Sequence, residues 1–143
     1  MKKFEFSLER LLSLRVFYEK EAEIALQRAT SERDIVKIEI ENIDAKVIES
    51  SHLFSQDLSV IDLLAIENYV KGLKVKKIIL QEELIRREKV VRECLLKYQE
   101  ASKNRKILDK LKEKKIEEWK DELNKEEMTI IDEILSSKFV MQS

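Results

Sequence analysis

The side chains able to do chemistry are few outside one class. The chain has one histidine, His52, one cysteine, Cys94, and one glycine, Gly72. A zinc centre needs three or four converging ligands, and a nucleophile needs a partnered base. A phosphate-cradling loop needs several glycines. None of these sets can be assembled here. His52 sits in the serine-rich stretch 50–58 and reads as a solvated turn residue. Cys94 falls at a helical seam position and reads as a small buried apolar residue; alone, it forms no internal disulfide and suits a reducing compartment. The 29 carboxylates lie among 28 basic residues at helical spacing, the pattern of a solvated charged face with partners four residues away. The sequence therefore offers no catalytic residues, no metal ligands and no cofactor site, and an enzyme is disfavoured.

What must hold these residues is helix. Residues 59–138 contain no proline and only Gly72, so they read as one long helix. Its apolar residues step by three and four through Leu63, Ile66, Val70, Leu73, Leu80, Leu84, Val91, Cys94, Tyr98 and Ala101, with Lys77 and Arg87 in two charged slots of the same seam. A stripe this narrow faces one partner helix. The matching stripe is Leu26, Ala29, Arg33, Val36, Ile40, Ile43 and Val47 on a first helix, the cleanest periodicity in the chain. At its start, Leu8, Leu11, Leu12 and Leu14 are apolar over more than one face, an excess that packs in a thicker bundle or is offered to another protein.

The spacing predicts an all-α fold: a monomeric, long antiparallel two-helix coiled-coil hairpin whose second helix is longer than its first. Residues 1–143 form a single coiled-coil domain, with helix 1 about 7–50, a tip at 51–58 and helix 2 about 59–138. Ser7 and Ser59 read as N-caps, the latter with Asp62 as a short capping box. Gly72 is either approached closely by another backbone or tolerated on an exposed face, and the second is favoured. With residue 50 set opposite residue 59, facing residue numbers add to about 109, so that Gly72 faces Lys37 and roughly thirty residues of helix 2 are left over, ~50 Å at 1.5 Å per residue. This overhang carries Leu108, Leu111, Ile116, Trp119, Leu123, Ile130 and Ile134, with a break in the heptad between Leu111 and Ile116.

The net charge of -1 conceals three blocks. Residues 1–70 carry 9 basic and 14 acidic side chains, 71–120 carry 17 and 9, and 121–143 carry 2 and 6. An acidic first arm on a basic second arm gains register from charges flanking the seam. With a pI of about 6.0 and 6% aromatics, the composition argues against a nucleic-acid partner. No continuous apolar run follows Lys2 and Lys3, and no stretch approaches the ~20 apolar residues of a membrane span, which leads to the expectation of a cytoplasmic protein.

Phe4-x-Phe6-x-Leu8-Glu9-x-Leu11-Leu12-x-Leu14-Arg15, then Glu19, Ala22, Ala25, Leu26 and Ala29, resembles the opening of the FliJ family of flagellar export proteins. The run Leu108-Asp109-Lys110-Leu111-Lys112-Glu113, with Glu126 and Asp132-Glu133 beyond it, is similar to that family's close. The resemblance implies a coiled-coil stalk of the flagellar type III export apparatus, at the inner membrane of the flagellar base. Such a stalk binds and stimulates a hexameric export ATPase and links it to a membrane export gate, with export chaperones as further candidate partners. It also implies ATPase-binding residues Phe4, Phe6, Leu8, Leu11, Leu12, Arg15, Leu111, Trp119 and Leu123, and gate-binding residues Ile66, Tyr69 and Leu73. A virulence-type secretion stalk and a generic coiled-coil tether or scaffold are the alternative readings.

Overall fold

The structure, a computed structural model, describes residues 2–142. It is all-α among these residues: α1 spans Glu9–Leu53 (45 residues) and α2 spans Val60–Gln142 (83 residues), and the two pack against each other. α1 starts two residues later and ends three residues later than its spacing predicts, and α2 runs four residues past its expected end. The chain divides into two compact units, Lys20–Gln99 and the pair of segments Met1–Glu19 and Glu100–Ser143.

In the unit Lys20–Gln99 the two helices run antiparallel along a thin seam. Ala29, Val36, Ile43 and Ser50 of α1, each seven residues after the last, are buried, as is Leu73 of α2. A strict seven-residue step keeps one line of side chains facing a single neighbour. No side chain is fully buried among the described residues, because two helices cannot enclose one. The charged seam slots are settled by carboxylates beside the seam. Lys77 reaches Asp44 at 2.6 Å, and Arg87 bridges Glu32 at 2.7 Å and Glu83 at 2.8 Å. Hydrogen bonds from Arg86, and then from Arg87, hold the Glu83 carboxyl below its ordinary value of 4.5. Since the folded-state value lies below the unfolded one, this bracket contributes fully above about 4.5 and loses its contribution as pH falls through the lower, folded value.

The pairs Asp44–Lys77 and Glu32–Arg87 correct the register, for their residue numbers add to about 120 and not 109. Gly72 is therefore not opposite Lys37. The cause lies in the connection. α1 continues to Leu53 and tightens through three successive backbone bonds, Phe54 N–H to Ser51 C=O, Ser55 N–H to His52 C=O and Gln56 N–H to Leu53 C=O, a 3₁₀-like ending. The chain then leaves the helix for residues 54–59. Residues 54–56 are turns and a bend and only 57–59 lie outside both; a 3₁₀ turn rises about 2 Å per residue and irregular chain up to ~3.3 Å, against 1.5 Å in an α-helix, so the segment carries the chain past the end of α1 before α2 starts down. The very start of α2 is open to solvent, with Val60 and Ile61 72% and 79% exposed, whereas Leu63 and Ile66 are half-buried. Ser59 caps α2 as expected: its Oγ accepts from the Asp62 amide at 3.2 Å and donates to the Asp62 carboxylate at 2.8 Å. His52 is exposed in the last turn of α1.

A Cβ added at Gly72 would meet nothing within 4 Å, so this glycine is tolerated and is not required for a close approach. Gly72→Ala is expected to stabilise the protein by about 0.5–1 kcal/mol in urea unfolding, the helix-propensity difference. Ile43→Ala, in the seam, is expected to cost about 2–4 kcal/mol, while Ile38→Ala, on the exposed outer side of α1, should stay within about 0.5 kcal/mol of the parent.

Candidate functional site

In the unit formed by Met1–Glu19 and Glu100–Ser143, helix faces helix only as far as Glu9, whose carboxylate meets Lys112 at 2.8 Å. Glu19 bonds Arg105, which Asp109 also engages from the next turn. These two carboxylates, Glu19 first, hold the Arg105 guanidinium above its ordinary value. Arg15 donates to the Asn104 backbone carbonyl at 2.8 Å.

Before Glu9 the chain is not helical. The first turn is closed by Glu9 N–H to Phe6 C=O, and the first helical bond runs from the Leu12 amide to the Leu8 carbonyl. The cap position is thus Leu8, displaced from the expected Ser7 by a preceding turn. Residues 2–6 are irregular and lie on α2. The Trp119 indole N–H donates to the Lys2 carbonyl at 3.1 Å, and the Phe4 and Trp119 rings sit 5.9 Å apart at 59°, a geometry that suits ring quadrupoles.

This accounts for the heptad break. From residue 104 on, the half-buried and buried positions of α2 are Asn104, Arg105, Leu108, Asp109, Leu111, Lys112, Ile116, Trp119 and Leu123, and the row through Leu108, Lys112 and Ile116 takes two steps of four in succession. That is a local stutter, and it falls where the neighbour changes from helix to extended chain. The overhang is correspondingly shorter than the roughly thirty residues expected. Residues 124–141 are all exposed, roughly eighteen residues or ~27 Å at 1.5 Å per residue.

The residues of the N-terminal opening are thus brought together with Leu111, Trp119 and Leu123, but mostly as internal packing. Leu12 is buried; Phe4, Phe6, Leu8, Arg15, Leu111, Trp119 and Leu123 are half-buried; only Leu11 is exposed. Beside Leu11, the outer face of α1 also exposes Leu14, Phe17 and Tyr18, with the Phe17 and Tyr18 rings 5.9 Å apart. The aromatic pair was not among the expected site residues, although its spacing from Leu11 and Leu14, at i+7 and i+4, is legible as one helix face. In the unit Lys20–Gln99, Ile66 is half-buried, Tyr69 is 52% exposed and Leu73 is 9% exposed. Of the three expected gate residues, only Tyr69 presents a free ring.

The profile of the family described as Flagellar FliJ protein matches residues 4–142. The chain belongs to this family. A FliJ protein is a component of the flagellar export apparatus, and in this one the match takes in both helices and the N-terminal segment that lies on Trp119. No curated protein and no solved structure matches the chain. Among the described residues of this FliJ chain, no helix is long and apolar enough to cross a membrane, and no group of three or more His, Cys, Asp and Glu could hold a metal ion.

Tyr69→Ala is expected to leave the urea midpoint and the far-UV helix signal unchanged, whereas Leu73→Ala should lower stability by about 2–4 kcal/mol through lost seam packing. A matching loss for Tyr69→Ala would put its ring in the seam.

Proposed function

We propose that this protein is a stalk of the flagellar export machinery that binds and stimulates the hexameric export ATPase and links it to the membrane export gate. It would act in the cytoplasm at the inner membrane of the flagellar base, with export chaperones among its partners. The observation that carries the ATPase contact is the exposed apolar surface of one unit. Leu11, Leu14, Phe17 and Tyr18 on α1 are exposed, and so are Met128, Ile130, Ile131, Ile134, Leu135 and Phe139 on α2.

Exposed aromatic and aliphatic side chains on a helix are anchors for a groove in another protein. In this reading the inward-facing candidates Leu8, Leu12, Arg15 and Leu111 hold this end in shape, Leu11 with the exposed residues makes the contact, and the half-buried Phe4, Phe6, Trp119 and Leu123 border it. Tyr69, exposed near the connection, is the gate-facing ring, with Ile66 and Leu73 setting its position from the seam.

Truncation after Glu126 removes no buried or half-buried residue among those described, so the helix pair is expected to remain folded with its unfolding midpoint unchanged. Stimulation of ATP turnover by the partner hexamer should fall at least tenfold, since interface anchors carry ~2 kcal/mol or more. Steady-state turnover at matched protein concentration measures this. Undiminished stimulation would move the ATPase contact away from the end of α2.

A further inference from the structure

Ahead of the turn at Phe6–Glu9, residues 4–6 alternate in exposure: Phe4 and Phe6 are half-buried, while Glu5 is exposed. A two-residue alternation is the signature of extended chain laid along a surface. The surface is the face of α2 that carries Trp119, the only tryptophan of the chain. Between the segment and α2 lies an open groove lined by Phe6, Lys115, Glu118, Trp119, Leu123 and Glu126.

The fastening is slight. The backbone bond nearest the start of the segment is Glu9 N–H to Phe6 C=O, and Trp119 to Lys2 is a solvent-exposed bond. A segment with few buried apolar contacts and solvent-accessible backbone opens at little cost in free energy. By contrast, the chain immediately after it is helical and ion-paired through Glu9 and Lys112. Whatever buries Trp119 from outside must take the place of the Phe4 ring and supply an acceptor in place of the Lys2 carbonyl.

We propose that residues 2–6 are a releasable strap that covers the Trp119 face of α2, and that the export ATPase docks on that face by displacing it. This rests on the stalk reading above and adds its regulation: the free protein keeps its largest anchor covered by its own chain, and the partner binds the fraction of molecules in which the strap is open.

The experiment compares the full chain with a form lacking residues 2–6 and with Phe4→Ala. In the free proteins, acrylamide quenching of Trp119 should rise about twofold and its emission should shift to the red in both altered forms, with unchanged far-UV spectra. In titrations against the hexameric ATPase, the strapless form should bind about five- to tenfold tighter, the factor expected when a competent state of 10–20% becomes fully populated. Trp119→Ala in the strapless form should abolish that gain. Equal quenching in all three would overturn the cover over Trp119. Equal or weaker binding by the strapless form would overturn the competition and make Phe4 and Phe6 direct contacts. Absence of binding by every form would instead refute the stalk reading, and with it the competition; the cover would then be decided by the quenching alone.

Discussion

Opposite charge across the helix pair is the interaction on which the rest of this structure depends. Among the described residues, every ion pair made between the helices within either unit places the carboxylate on α1 and the cation on α2: Asp44–Lys77 and Glu32–Arg87 in one unit, Glu19–Arg105 and Glu9–Lys112 in the other. Individually such partly exposed pairs contribute little, ~0–1 kcal/mol. Their consistent polarity nevertheless makes pairing α1 with a second α1, or α2 with a second α2, face like charges, which is costly in a seam whose apolar side chains are few and never fully covered. The apolar stripe supplies attraction, and the charges select which attraction is used.

The pairing partners were legible in the block charges, and the seam was legible in the steps of three and four. The Ser59 cap was legible too, because a serine followed three residues later by a carboxylate satisfies helix-start amides locally. The register was not. It depends on how far residues 54–59 advance, and the rise of an irregular segment is not encoded in hydrophobic period. An error of about eleven in the pair sum propagates along the whole seam from that one segment.

The candidate site was legible only in outline. Both ends of the family pattern were visible, but a list of apolar residues does not say which are spent on the chain's own packing. Leu12 and Leu73 look like any other leucine in the pattern and prove to be buried, while Leu11 and Tyr69, one to four residues away, are not. The turn at Phe6–Glu9 was hidden for another reason. Ser7 with Glu9 satisfies the rule for a helix start, and the attachment of Phe4 to Trp119 that draws the chain out of helix is separated from it by over a hundred residues in sequence.

The non-helical connection at 54–59 has a consequence for tolerance of change in the unit Lys20–Gln99. In a continuous helix, one added residue rotates everything after it by about 100° and moves the seam out of line. Here α1 ends and α2 restarts on its own cap, so an added or lost residue between them need not rotate either helix if the irregular segment absorbs it. The sequence of the connection, with the exposed Val60 and Ile61 beyond it, is free to vary so long as the distance spanned is held and Asp44 still meets Lys77.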